Sequence, residues 1–314
     1  MSSDFSTHPA GWSAPELLVD PRFDRRAPTA RLPRGELPQV WRQELGDIAR
    51  ELEQGCGAVR LRGLHLAGMD DEAAHRLFVR LTDPLGTPLS QDVTGATVLR
   101  VEDRGHASDD PRHRGPNSRA RLSYHCDRCD VIAFLCVRPA ERGGATRLVS
   151  SVRLHQRLLE EEPRTLEVLR GSFPFLRHTI DPVNPRSFVL LPIFSERDGH
   201  FAAHLLRVLI DRADSSPEAP SLTIAQRSAL DRLEELAEEE GVSFQLAPGD
   251  LLLLQNWVTF HRRDAFEDDS LSPRLLLRRW ISTRDNRPLD PRFLDHFGSV
   301  EAGRTRGGIR PLRT

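Results

Sequence analysis

RLSYHCDRCDVIAFLCVRPAERGGATRLVSS (121–151) and GDLLLLQNWVTFHRRDAFEDDSLSPRLLLRRWI (249–281) decide how this chain is read. Between them they supply two histidines, one carboxylate, a Gly-Gly-x-Thr turn and late arginines. In a β-strand, residues i and i+2 project to one face. His125 and Asp127 can therefore chelate one ion, while Cys126 points the opposite way. A second histidine has to come from elsewhere, and His261 is the candidate. Two nitrogens and one oxygen on one side of an ion leave three octahedral positions open, the arrangement used by Fe(II) oxygenases.

Taken alone, the pair carries little weight. With 12 histidines and 46 acidic residues in 314, about two His-x-acid pairs are expected by chance, and one occurs. An ordinary surface strand would look the same. The arginines add to the argument. On a strand, Arg274, Leu276, Arg278 and Trp280 share one face, and Leu275, Leu277, Arg279 and Ile281 the other. Two guanidinium groups on an otherwise apolar face call for an anion, and a carboxylate fits the guanidinium fork. The competing reading makes both arginines rim residues of an Arg-rich protein.

At this point the chain resembles the taurine dioxygenase (TauD/TfdA) family of Fe(II)/2-oxoglutarate oxygenases, within the clavaminate-synthase-like superfamily. The likeness runs through HCD, CDVIAFLCVRPAERGGAT, GDLLLLQNWVTFH, AFEDD and RLLLRRWI. Weaker echoes begin near GWSAPEL (11–17) and end at RGGIR (306–310). The resemblance implies an α+β fold with a mainly β core: a double-stranded β-helix, or jelly-roll, with flanking helices and a helical insertion. It implies His125, Asp127 and His261 as iron ligands. It places Thr146 and Arg274 at the carboxylates of 2-oxoglutarate, with Arg278 at the co-substrate or the substrate. Gln91, Arg121 and Tyr124 are further candidates for the substrate side.

The implied reaction is oxidation of an unactivated C–H bond in a small molecule, an amino acid or organic acid, with O2 consumed and succinate and CO2 released. Related halogenases lack the carboxylate, so Asp127 points to hydroxylation. The loop from Asp127 to Thr146 is shorter than in taurine dioxygenase, and Cys126 replaces the usual small or hydroxyl residue. Both departures weaken any transfer of taurine specificity. Two other classes stay open: an oxygenase of this fold acting on a protein side chain, and a non-enzymatic metal-binding barrel.

Composition bounds the rest. Hydrophobic residues make up 38% and charged ones 29%, a globular balance. A net charge of −2 without a basic block argues against nucleic acid as a partner. All 44 basic residues are arginine, so any anion site must be built from it. The start MSSDFSTHPAGW lacks a basic, apolar leader, and no stretch approaches the ~20 apolar residues of a membrane span. With four cysteines read as free thiols, the expected compartment is the cytoplasm. Self-association is left open. A zinc site at Cys126-x-x-Cys129 is a rival reading that lacks a second ligand pair. Cys129 is then a candidate pocket residue.

A single domain of 314 residues is expected. Residues 1–36 read as a surface arm anchored by Trp12 and residues 17–19, 104–120 as a lid loop, and 284–314 as a peripheral tail. Helices are predicted over 39–54, 70–82, 151–171 and 222–240, and two strands around the turn ERDGH.

Overall fold

The computed structural model describes residues 5–29, 32, 35–105, 115–177, 186–269 and 271–311. Most of the proposed lid loop, residues 106–114, lies outside the described residues.

The long apolar strands build one large sheet. Its strands lie in the order Asp24–Arg26, Ala58–Arg62, Leu251–Gln255, Val131–Arg138, Leu275–Thr283 and Gly86–Leu89, with Val98–Val101 also paired to Leu275–Thr283. Alternation along these strands divides the side chains between two layers. Val131, Ala133, Leu135, Leu275, Leu277 and Ile281 pack against helices Gln39–Gln54 and Asp71–Thr82. Ile132, Cys136, Leu252, Leu254, Leu276 and Trp280 face the interior.

A smaller sheet closes the interior from the other side, in the order Val242–Phe244, Thr146–Ser150, Thr259–Arg263. Two facing sheets give the expected jelly-roll core, although hydrogen bonds among the described residues do not close it into a continuous barrel. The helical insertion separates Thr146–Ser150 from Val242–Phe244 and contains Ser151–Glu161, Pro163–Arg170, Arg207–Asp214 and Ile224–Glu240.

Local chemistry explains the boundaries. Asp70 caps its helix by accepting from the Ala73 amide at 2.7 Å, and Thr223 with Gln226 forms a capping box. The pattern over 151–171 divides in two because Pro163 cannot continue a helix and instead starts the next one. ERDGH is the predicted hairpin, Phe194–Arg197 with His200–Ala203, turned by Asp198 and Gly199 at positive φ.

The ends of the chain are built in more deeply than their composition suggests. Trp12 and Leu17 are buried, but Val19 is 81% exposed and anchors nothing. In the tail, Leu289, Phe293, Phe297 and Arg306 are all buried. The peripheral tail is therefore corrected: its aromatics help fill the core beneath the insertion.

Candidate active site

Cross-strand register assembles the site. In the smaller sheet Thr146 lies opposite Arg263, and Leu148 opposite His261. Directly opposed residues share a face, so Thr146, His261 and Arg263 look into one cavity. The turn before Thr146 requires its glycines. Gly143 has φ +72°, and a Cβ there would lie 2.3 Å from the Ala265 carbonyl oxygen. From the strand Leu275–Thr283 and the residue just before it, Arg274, Leu276, Arg278 and Trp280 line the same cavity, as their alternation predicted.

His125 is not on a regular strand. It makes two isolated bridges, to Leu206 and to His261, and exchanges backbone hydrogen bonds of 3.0 Å with His261 in both directions. Asp127 lies just beyond, its amide donating to Asn256 Oδ1 at 3.1 Å. The expected outcome survives this change of geometry. Ligand atoms of His125, Asp127 and His261 all lie within 4.8 Å of one another, the one such group among the described residues. Cys126 points away, its thiol toward the Ala203 carbonyl at 3.8 Å. Cys129 is fully buried and accepts from Asn256 Nδ2 at 2.9 Å, so it neither faces the pocket nor joins a zinc site.

The electrostatics suit a metal. His125 Nδ1 lies 2.9 Å from the Ser123 carbonyl, which fixes Nδ1–H as donor and leaves Nε2 for an ion. Burial, reinforced by His261, lowers the His125 pKa to about 4, so the ring is neutral at pH 7. Burial alone would raise Asp127, but Arg278 and His261 outweigh it and hold the carboxyl well below the ordinary range. His261 Nε2 stands 3.4 Å from Asp127 Oδ2. Neither Asp127 Oδ2 nor His261 Nδ1 has a hydrogen-bond partner in these buried surroundings.

Arg274 stands in a similar condition. It is 4% exposed, stacks 4.9 Å over the Phe266 ring, and leaves Nη1 buried without a partner. Burial lowers its pKa to about 10. An unpaired buried cation is costly, so this position fits the carboxylate of a bound co-substrate. Arg263, on the same Phe266 ring at 4.8 Å, is lowered to about 9 by burial and by Arg274. Sequence reasoning passed over it as one arginine among many.

The remaining candidates divide. Arg278 donates through Nε to Gln91 Oε1 at 2.8 Å and lies 3.5 Å from Asp127 Oδ1. Gln91 donates in turn to the Thr97 and Arg278 carbonyls, so both ends of its amide are committed to holding Arg278. Arg121 pairs with Glu238 at the cavity rim. The Tyr124 side chain is buried in the apolar core beneath Arg262, which accounts for it as a packed aromatic.

The cavity measures about 860 Å³, and among the described residues twelve arginines and two carboxylates line it. The whole chain carries 44 basic and 46 acidic residues, so the positive charge is concentrated here. His204 was also missed, because a lone histidine in HFAAHLL reads as core. It is 2% exposed, lines the cavity, and its Nδ1 has no partner. Burial, then Arg128, lowers its pKa to about 3.

Comparison with known proteins agrees with this chemistry. Residues 25–280 match the model of the taurine catabolism dioxygenase TauD, TfdA family. FR-33289 synthase of Streptomyces rubellomurinus is 30% identical over 269 residues, covering 82% of this chain and 78% of that protein. A uridine-5'-phosphate dioxygenase from a Streptomyces species is 32% identical over 228 residues, covering 70% and 80%. Among solved structures, asparagine oxygenase with Fe(II), 3-hydroxyasparagine and succinate superposes with a TM-score of 0.60 at 18% identity, covering 78% and 80%. OrfP with iron and alpha-ketoglutaric acid gives 0.58 at 17%, covering 78% and 81%, and both establish the shared fold. The chain belongs to the TauD/TfdA family and is a non-haem iron dioxygenase dependent on 2-oxoglutarate and O2.

Proposed function

We propose that the chain hydroxylates a C–H bond of a small anionic molecule, an amino acid or organic acid, at the His125, Asp127 and His261 cluster. One observation carries this reading: three ligand atoms within 4.8 Å stand in the same cavity as Arg274, a buried arginine whose Nη1 has no partner. In this reading His125 Nε2, an Asp127 oxygen and His261 Nε2 hold Fe(II). Arg274 and Thr146 take the carboxylates of 2-oxoglutarate, and Arg263 adds positive charge beside Arg274. Bound together, iron and 2-oxoglutarate supply the O2-derived oxidant and leave succinate and CO2.

The protein's share is orientation and exclusion of water. Ser123 fixes the His125 tautomer and Asn256 fixes the backbone of Asp127. Gln91 holds Arg278, and Arg278 keeps the Asp127 carboxyl ionised. An anionic substrate agrees with the arginine-rich lining. The uridine-5'-phosphate dioxygenase relative acts, by its name, on a phosphate-bearing molecule, which supports the same reading.

No helix among the described residues is long and apolar enough to cross a membrane. All four cysteines are free and buried, which supports the cytoplasm as the compartment.

The test is iron content after anaerobic reconstitution, with succinate release measured on the same samples. One iron per chain and 2-oxoglutarate-dependent succinate are expected for the wild type. His125→Ala should lose both. An iron-loaded His125→Ala that still releases succinate would overturn the ligand assignment.

A further inference from the structure

His125 sits between two backbone neighbours. On one side it exchanges hydrogen bonds with His261; on the other it bridges Leu206, where the Cys126 amide donates to the Leu205 carbonyl at 2.7 Å. Both bridges are antiparallel, so Leu206, His125 and His261 present their side chains on one face. His125 and Leu206 are joined through Cys126 and Leu205, the kind of pairing in which opposed side chains stand closest. Leu206 is therefore an apolar side chain next to a proposed iron ligand, on the side away from His261. It is half-buried, packs partly against the core beneath the insertion, and lines the cavity.

Helix chemistry does not explain a leucine at this position. Leu206 immediately precedes helix Arg207–Asp214, with φ −150° and ψ 79°, and its side chain makes no capping hydrogen bond. The position favours Ser, Thr, Asp or Asn, whose oxygen accepts from the first turn. Asp70, Ser150 and Thr223 do this at the starts of three other helices. Leu206 lacks that contact and turns part of its surface to the cavity, so neither capping nor packing accounts for it fully. Two residues on, Val208 lines the same cavity and is 46% exposed. Between them, Arg207 pairs with Asp211 at 2.7 Å and Asp231 at 2.9 Å. The start of this helix therefore offers the cavity hydrocarbon, where the strand carrying Arg278 offers a guanidinium.

We infer that Leu206 is a specificity-determining residue: a saturated hydrocarbon portion of the substrate lies against it, beside the iron. This rests on the oxygenase reading above and names the substrate class of that site, a small acid or amino acid with an aliphatic body. A hydrocarbon placed there exchanges water for apolar surface. An amide, hydroxyl or charged group placed there would lose its water and find no partner in Leu206. The anionic end of the same molecule is left to the arginines.

The full chain loaded anaerobically with Fe(II) and saturating 2-oxoglutarate tests this by calorimetric titration. The probes are two pairs of similar shape, L-leucine with L-asparagine and 4-methylpentanoate with succinamate. Each pair exchanges an isopropyl group for a carboxamide. In at least one pair the aliphatic member should bind about tenfold or more tighter. Leu206→Ser, which supplies a favoured cap, should cut that preference to about threefold or less. Leu206→Met, still apolar and of similar volume, should keep it. A leucine that served packing alone would move the unfolding midpoint and leave the preference unchanged. The visible absorption of the iron–2-oxoglutarate chelate should persist in both variants, which also reports that they fold, and the wild-type comparison stands whether or not they do. Equal binding within both pairs, tighter binding of the amides, no binding of either aliphatic probe, or an unchanged preference in Leu206→Ser would overturn the assignment while leaving the oxygenase reading intact. Failure of the chelate to form in wild type would overturn the oxygenase reading, and this assignment with it, on a separate readout.

Discussion

Asp127 and Asp130 are three residues apart in HCDRCD, and the protein treats them in opposite ways. Asp130 is wholly buried and every contact it needs is made. One oxygen accepts from Trp257 Nε1 at 2.9 Å and Arg306 Nε at 2.7 Å, the other from Ser282, Asn286 and the Thr283 amide. Asp127 is less deeply set, its side chain 11% exposed, yet the buried Oδ2 has no hydrogen-bond partner and Oδ1 meets Arg278 only at 3.5 Å. A structural carboxylate is one whose lone pairs are filled by its own chain. A functional one is left for something that binds.

This contrast makes predictions, the largest first. Asp127→Ala should abolish succinate release but keep its unfolding free energy within about 1 kcal/mol of wild type, because Gln91 still holds Arg278. A destabilised but active variant would reverse the comparison. Asp130→Ala strands the Arg306 guanidinium, whose side chain is 0% exposed, and should cost about 3–5 kcal/mol in denaturant unfolding.

Arg274→Gln should raise the 2-oxoglutarate Kd about tenfold to a hundredfold, as expected for losing a charge-assisted carboxylate pair. It should not lower stability, since the arginine it removes has a buried Nη1 without a partner. Stability loss without weaker binding would make Arg274 structural. Gly144→Ala is a finer probe. Its φ is +68°, and an added Cβ would lie 3.2 Å from Phe266 Cβ and 3.6 Å from Arg274 Nε. A stability loss of about 1 kcal/mol, with a raised KM for 2-oxoglutarate, is expected.

Two buried histidines extend the contrast to pH. Burial, with Arg128 beside His204 and Arg170 beside His155, lowers these rings to about 3 and about 4, against 6.5 when unfolded. In each case the unfolded chain takes up the proton first. Their stability contribution is therefore complete above pH 6.5 and declines as pH falls toward 4, by about 1.4 kcal/mol for each tenfold difference in proton affinity. Unfolding at stepped pH checks this, and His204→Gln should flatten the slope. A slope unchanged by that variant would remove His204 from the account.

The legible part of the site was the part built from short-range pattern. The alternation of Arg274, Leu276, Arg278 and Trp280 survives because a strand enforces period two. The pair at 125 and 127 does come together with His261, but not through the strand expected of it, since isolated bridges from His125 to Leu206 and His261 replace that strand. Asp130 and Arg306 carried no signal, because an ion pair spanning 176 residues leaves no spacing to detect. The same distance hid the tail glycines that fix Arg128, and with them the reason the tail is not peripheral. His204 and Arg263 were hidden by composition, one among apolar neighbours and the other among 44 arginines.

The most direct test is an anaerobic titration of the full chain with Fe(II) and 2-oxoglutarate, watching for the weak visible band of the chelate. The account predicts a band that saturates at one iron per chain and is lost in His125→Ala. Iron bound stoichiometrically, with 2-oxoglutarate in excess and no band, would contradict it.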